Sequence, residues 1–247
     1  MYNPFSLAGK TILVTGASSG IGRATAVESA KMGASLVVTG RNEGRLQDVY
    51  ETLEGEGHRK VIADLSCQEG IDALVADLPP LDGAVLCAGI TKNVPVQFAT
   101  REKFNSIFDV NFFSPVELLR QLYRGKKLNL GASVAVVASI GGLRSFNYGN
   151  GLYGSSKAAL VSFMKYCAHE FAGRKIRVNC VCPGMIETPM RSSTPYTQEQ
   201  LDKYMERIPL KRFGQPEEVA FGIIYLLSEA SSYVTGMNLF IDGGGES

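Results

Sequence analysis

The chain has 247 residues, 45% of them apolar and 20% charged, and a formal net charge of +1. That balance calls for neither nucleic acid nor an anionic membrane as partner. No apolar run approaches the roughly 20 residues a bilayer span needs, and Met1 to Gly9 lacks the basic and apolar parts of a secretory signal, so a cytoplasmic location is expected.

Taken in order, the chain alternates short apolar runs with helical patterns. Thr11 to Thr15 reads as a buried parallel strand. Gly16, Gly20 and Gly22 follow, then an amphipathic helix to about Met32, closed by Gly33. Ser35 to Thr39 is the second strand, followed by a charged helix from about Glu43 to Leu53 and a third strand at Lys60 to Ala63. A short helix at Glu69 to Ala76 stops before Pro79-Pro80. The fourth strand is Gly83 to Cys87, and one long helix is expected from Arg101 to Arg124. Ser133 to Ala138, a helix from Leu152 to Phe171 and Ile176 to Val181 continue the alternation. Residues 185 to 212 read as irregular. A helix with Pro216 just inside its start runs to Ser228, and Met237 to Ile241 is the closing strand.

This pattern predicts an α/β fold: a single doubly wound Rossmann-type domain over 1–247, with a parallel seven-stranded sheet and helices on both faces. Right-handed crossovers bring the loops after the first six strands to one rim, where ligands bind. At that rim the first strand, the glycine turn and the helix start form a phosphate cradle. Glycine lets the backbone approach a ligand, and the helix N-terminus attracts an anion.

Other chemistries in the letters fail. Gly16-Ala17-Ser18-Ser19-Gly20 also fits the nucleophile elbow of hydrolases. That elbow needs strands ahead of it and a histidine late in the chain; only fifteen residues precede Gly16, and the histidines are His58 and His169. The five cysteines form no Cys-x-x-Cys pair, and Cys180 and Cys182 share one strand face as small hydrophobes. His169-Glu170 begins like a zinc-protease helix, but residue 173 is glycine, so no metal site is expected.

Thr15-Gly16-Ala17-Ser18-Ser19-Gly20-Ile21-Gly22, Asn111, Ser139, Tyr153-x-x-x-Lys157, Pro183-Gly184 and the closing Ile241-Asp242-Gly243-Gly244 resemble the short-chain dehydrogenase/reductase family over essentially the whole chain. The similarity is greatest to 3-oxoacyl-[acyl-carrier-protein] reductases and related carbonyl reductases. Two departures stand out. Leu86-Cys87-Ala88-Gly89 replaces the family's usual Asn-Asn-Ala-Gly, and the interval from Ser139 to Tyr153 is one residue longer than usual. Tyr148 is excluded as the catalytic tyrosine because Leu152 stands where a lysine is required.

Tyr153 and Lys157 fall on one face of a helix start. A free phenol titrates near ~10, and a neighbouring ammonium is expected to lower that value, making Tyr153 a general acid for carbonyl reduction. Ser139, at a strand tip, can hydrogen-bond the substrate oxygen. The resemblance implies that Lys157 also holds the nicotinamide ribose and that Asn111 orders a proton path to it. It further implies cofactor contacts at Gly16, Ser18, Ser19, Gly20, Ile21, Gly22, Asp64, Leu65, Ala88, Gly89, Tyr153, Lys157, Pro183, Gly184, Ile186 and Thr188. Arg41, where an acidic residue would select NAD, points to NADP(H), with NAD(H) use possible.

The segment 185–212 is expected to form a lid lined by Met190, Tyr196, Met205 and Ile208. Phe146, Asn147 and Tyr148 are expected to form the opposite wall. The resulting expectation is NADPH-dependent reduction of a small-molecule carbonyl, with a 3-oxoacyl thioester as best substrate. Dehydrogenation of a sugar, polyol or steroid alcohol and a non-catalytic dinucleotide sensor are the alternatives. The resemblance also implies a homotetramer.

Overall fold

The structure is a computed structural model and describes residues 2–192 and 197–245. Seven parallel strands form one sheet in the order β3-β2-β1-β4-β5-β6-β7. They are β1 (Thr11–Thr15), β2 (Ser35–Gly40), β3 (Arg59–Ile62), β4 (Leu81–Leu86), β5 (Leu128–Val137), β6 (Arg177–Pro183) and β7 (Asn238–Ile241). Central strands such as β1 and β2 read as continuous apolar runs because both sheet faces are covered.

On one face the core joins the sheet to α3 (Gln68–Asp77), α5 (Ser114–Arg124) and α6 (Gly151–Glu170), through Leu74, Leu118, Leu119, Leu160 and Met164. On the other it joins α1 (Gly20–Lys31), α2 (Glu43–Glu51) and α9 (Pro216–Leu227), through Ala26, Ala30, Leu46, Val219 and Ile223. The order reverses between β1 and β4, which places the ligand crevice outside the carboxyl ends of those strands.

Three expectations need correction. The long helix from Arg101 to Arg124 is two helices, α4 (Arg101–Phe108) and α5, joined by a π-helical turn at Asp109–Phe113. An i→i+5 turn inserts one residue into a helix without changing its apolar spacing much, so the sequence does not announce it. Strand β5 begins at Leu128, five residues early, and its pairing with β4 shifts register between Leu81 and Gly83. The segment 185–212 holds two helices, α7 (Pro189–Ser192) and α8 (Gln198–Arg207). Helix α8 carries a capping box between Thr197 and Gln200 and spaces Leu201, Tyr204 and Met205 as one face of a helix, yet none of its residues is buried.

No helix of the described residues is long and apolar enough to cross a membrane. The described residues also hold no cluster of three potential metal ligands.

Candidate active site

A cleft of about 400 Å³ opens at the carboxyl ends of the strands. Its walls gather nearly all of the expected residues: Gly16, Ser18 to Gly22, Arg41, Asp64, Leu65, Ala88, Gly89, Ser139, Tyr153, Lys157, Pro183, Gly184, Ile186 and Thr188.

The glycine turn is shaped by close packing. Gly16 has φ +66°, and a Cβ there would stand 2.9 Å from Ala88 Cα. A Cβ on Gly22 would stand 2.3 Å from the Gly16 carbonyl oxygen. No larger residue fits either place without moving backbone. Helix α1 then starts at Gly20 with Ser19 as N-cap, whose side chain makes no capping hydrogen bond. The first amides of α1 thus have no side-chain partner from their cap and border the cleft.

At the end of β2, Arg41 lines the cleft and is exposed. Arg45, one turn into α2, joins it there and was missed in the sequence. Asn42 between them caps α2 by accepting from the Arg45 amide at 2.9 Å. Asp64 accepts hydrogen bonds from the Ser66 amide and hydroxyl at 2.9 and 2.7 Å. Those bonds, with Arg41 nearby, hold its carboxyl below the usual carboxylate range. Two cations, a helix N-terminus and a bare glycine turn along one cleft fit an extended dinucleotide with an additional phosphate at its adenosine end.

Ser139, Tyr153 and Lys157 come together from β5's end and the first turns of α6. Lys157 is buried, and its ammonium donates to the Val137 carbonyl at 2.8 Å. Burial lowers its pKa to about 8. The Tyr153 phenol departs from the sequence-based expectation. Burial raises its pKa above the ordinary value, a hydrogen bond with Ser139 works in the opposite direction, and Cys87 and Cys182 add smaller upward pushes. The ammonium is 6.0 Å from the ring centre, so desolvation outweighs it.

Asn111 lies behind the cleft rather than in its wall. It is fully buried in the π turn, accepts from the Ile90 amide at 2.9 Å, and donates to the Ile90 carbonyl at 2.9 Å and to Ser156 Oγ at 3.1 Å. Gly89 separates it from Lys157: a Cβ there would be 3.3 Å from Asn111 Oδ1 and 3.4 Å from Lys157 Nζ.

The segment expected to form a lid is arranged differently from expectation. Met190 lines the cleft together with Met185 and Tyr204, whereas Ile208 is buried against Gly243 and Gly245, and Met205 is not in the wall. Tyr196 lies outside the described residues. The two ends of this segment are joined, since the Glu187 amide donates to the Gly214 carbonyl and the Gly214 amide to the Met185 carbonyl. Thr188 rests on the glycine turn, its Cγ2 being 3.2 Å from where a Gly20 Cβ would stand. On the opposite wall Asn147 and Asn150 reach the cleft, whereas Phe146 and Tyr148 border an adjoining groove.

The family model described as enoyl-(acyl carrier protein) reductase matches residues 16–246. The 3-oxoacyl-[acyl-carrier-protein] reductase FabG of Thermotoga maritima is 36% identical over 246 residues, covering 96% of this chain and 98% of the relative. A solved short chain dehydrogenase/reductase family protein is 34% identical, with TM-score 0.85 and coverage of 98% and 99%. A crystal structure described as a candidate NAD(P)-dependent gluconate 5-dehydrogenase from Beutenbergia cavernae, with NADP bound at low occupancy, is 31% identical, with TM-score 0.88 and coverage of 98% of each chain.

Proposed function

Because the chain belongs to the short-chain dehydrogenase/reductase family of oxidoreductases, we propose that it reduces a carbonyl to an alcohol with NADPH, and that the carbonyl is that of a 3-oxoacyl thioester. The observation that carries the reaction is the convergence of Ser139, Tyr153 and Lys157 in the same cleft as the glycine turn and Arg41. When bound, the nicotinamide supplies the hydride that adds to the carbonyl carbon.

The first amides of α1, with Ser18 and Ser19, would hold the pyrophosphate, and Arg41 with Arg45 would hold the adenosine-side phosphate. Asp64 and Leu65 would border the adenine, and Ala88, Gly89, Pro183, Gly184, Ile186 and Thr188 would enclose the nicotinamide half. Tyr153 gives its hydroxyl proton to the carbonyl oxygen, completing the addition of hydride and proton across C=O. A phenol kept protonated by burial is the form that reduction requires. Ser139 donates a hydrogen bond to the same oxygen as its charge develops. Lys157, charged below a pH of about 8, stabilises the phenolate left behind. Asn111 acts through the backbone at Ile90, fixing the Ala88-Gly89 strand end beside Lys157.

The FabG relatives support the thioester, and the bound NADP of the Beutenbergia structure supports the cofactor. That structure's gluconate name keeps a second reading, oxidation of a polyol alcohol, in play. Loss of NADPH absorbance with a panel of 3-oxoacyl thioesters, simple ketones and keto sugars tests the choice. Faster turnover of a keto sugar than of any thioester would overturn the thioester assignment, and binding of NADPH without turnover of any ketone would overturn catalysis.

A further inference from the structure

Two loops that border the cleft, one after β3 and one after β4, are held from behind by the same short piece of chain. It is the π turn Asp109–Phe113 together with Ser114, the first residue of α5. Asn111 takes both the amide and the carbonyl of Ile90, at 2.9 Å each. Three residues on, Ser114 Oγ donates to the Leu65 carbonyl and, at 2.6 Å, to the Asp109 carbonyl. The Ser114 amide closes the turn on that same Asp109 carbonyl. Ile90 and Leu65 both line the cleft, and Val110 of the turn reaches its wall as well.

Residues three apart share one face of an α-helix. An i→i+5 turn is wider and advances less per residue, so it swings the two side chains apart. Asn111 is left facing the end of β4 and Ser114 the end of β3. The β3 loop needs such support. Strand β3 has four residues and lies at the sheet edge, paired with β2 alone. The turn after it is shaped by bonds from Ser66 to the Asp64 carboxylate, which are local and do not fix where the turn sits. Ser114, distant in sequence and buried, supplies the fixed point. The two anchored residues also belong to opposite halves of the cleft. Leu65 adjoins Asp64, whose carboxyl feels the Arg41 charge, whereas Ile90 follows Gly89, the residue packed between Asn111 and Lys157 Nζ.

We propose that Ser114 is a positioning residue for the adenosine half of the dinucleotide, acting through the Leu65 carbonyl. The π turn thereby braces the two halves of the cleft separately, Ser114 on the adenosine side and Asn111 on the nicotinamide side. The proposal rests on the dinucleotide reading above and adds a residue that does not itself line the cleft. Without the Ser114 hydroxyl the Asp64–Ser66 turn keeps its local shape but loses its tie to α5, and the adenine wall is no longer preorganised for its ligand.

The test is calorimetric binding of two ligands, NADPH and 2′-phospho-ADP-ribose, which has the adenosine half and both phosphates of the bridge but no nicotinamide. Ser114→Ala is expected to raise Kd for both ligands by the same factor, roughly three- to tenfold, the worth of one hydrogen bond. Asn111→Ala is expected to raise Kd for NADPH and to leave that for 2′-phospho-ADP-ribose unchanged. Ser114→Thr, which keeps the hydroxyl, is expected to restore both values. Should Ser114→Ala not fold, Ser114→Cys fills nearly the same space with a weak donor and carries the same comparison. A hydroxyl that merely stabilised the fold would lower the melting temperature and leave both Kd values unchanged below it, which overturns the proposal. Weakened NADPH binding with intact 2′-phospho-ADP-ribose binding in the Ser114 variant overturns it too, as does an equal loss of both ligands in Asn111→Ala. A parent protein that binds neither ligand overturns the dinucleotide reading itself, and the proposal with it.

Discussion

Lys157 donates to the Val137 carbonyl at 2.8 Å and stands 6.0 Å from the centre of the Tyr153 ring. A buried ammonium is thus tied to backbone while the phenol beside it remains protonated. Both groups are held in the forms that reduction uses at neutral pH: the acid retains its proton and the cation retains its charge. With the Lys157 pKa at about 8, kcat/KM for ketone reduction is expected to hold steady near neutrality and to fall as pH rises through about 8. Alcohol oxidation, which needs the phenolate, is expected to climb with pH over the same range. Opposed pH profiles for the two directions are the measurement; parallel profiles would refute this division of roles.

The same burial has a consequence for stability. The folded-state pKa of Lys157, about 8, lies below its ordinary value of 10.5. Below about 8 the group is charged in both the native and unfolded chain, and its desolvation cost is fully present. Between about 8 and 10.5 the unfolded chain holds a proton that the native chain has released, so this group makes stability rise with pH. Lys157→Met is expected to abolish reduction and to remove that rise. Urea unfolding of parent and variant on either side of pH 8 measures the difference.

Arg41 and Arg45 make no ion pair among the described residues and both face the cleft. A charge-assisted hydrogen bond is worth about 1.5–3 kcal/mol, so Arg41→Ala is expected to lower kcat/KM for NADPH by roughly ten- to a hundredfold and to leave NADH nearly unaffected. Arg45→Ala should act in the same direction, and the double variant should lose most discrimination. Steady-state kinetics with the two cofactors decide it; an equal loss for both would assign the arginines a structural role.

Arg45 also shows where sequence reading stops. Arg41 follows a strand directly, so its place at the rim is fixed by topology. Arg45 reaches the same cleft only through the direction in which α2 leaves β2, which no local pattern encodes. Most of the seven strands were legible because they are apolar runs between turn signals, and Ser139, Tyr153 and Lys157 because their spacing survives as a unit. The early start of β5 was hidden by Asn129 to Gly131, a partly exposed stretch including a glycine at φ +80°. The protonated state of Tyr153 was hidden for another reason: burial is a property of the packed core, and proximity of a lysine four residues away does not reveal which acceptor that lysine takes.

Asn111 converts the π turn into a support for the cofactor cleft. Its carboxamide satisfies both the amide and the carbonyl of Ile90. Asn111→Ala leaves a buried or half-buried donor and acceptor without that partner, at about 1–3 kcal/mol each. The expected outcome is a fall in unfolding free energy of that order together with reduced kcat. Asn111→Asp, which keeps the acceptor for the Ile90 amide, is expected to recover part of the stability. Denaturant unfolding checks the first, and equal stability of Ala and Asp variants would discount the Ile90 amide bond.

Thr15 performs a related task at the point where the strand order reverses. Its β1–β4 pairing ends one residue earlier, at Val14 and Val85. There the Thr15 hydroxyl donates to the Val85 carbonyl at 3.3 Å and accepts from the Cys87 and Ala88 amides at 3.0 and 3.2 Å. One buried hydroxyl thereby uses its donor and both acceptor sites to carry the β4 strand end toward Ala88 and Gly89 in the cleft. Leu86 carries no polar side chain and Cys87 only a thiol, so this threonine supplies side-chain hydrogen bonds at the strand end. Thr15→Val preserves shape but strands two amides, costing about 1–3 kcal/mol, and is expected to raise KM for NADPH as the Ala88-Gly89 segment shifts. Thr15→Ser retains the hydroxyl and is expected to keep KM near that of the parent. If valine and serine proteins bind NADPH equally well, the hydroxyl is not what holds this edge of the cleft.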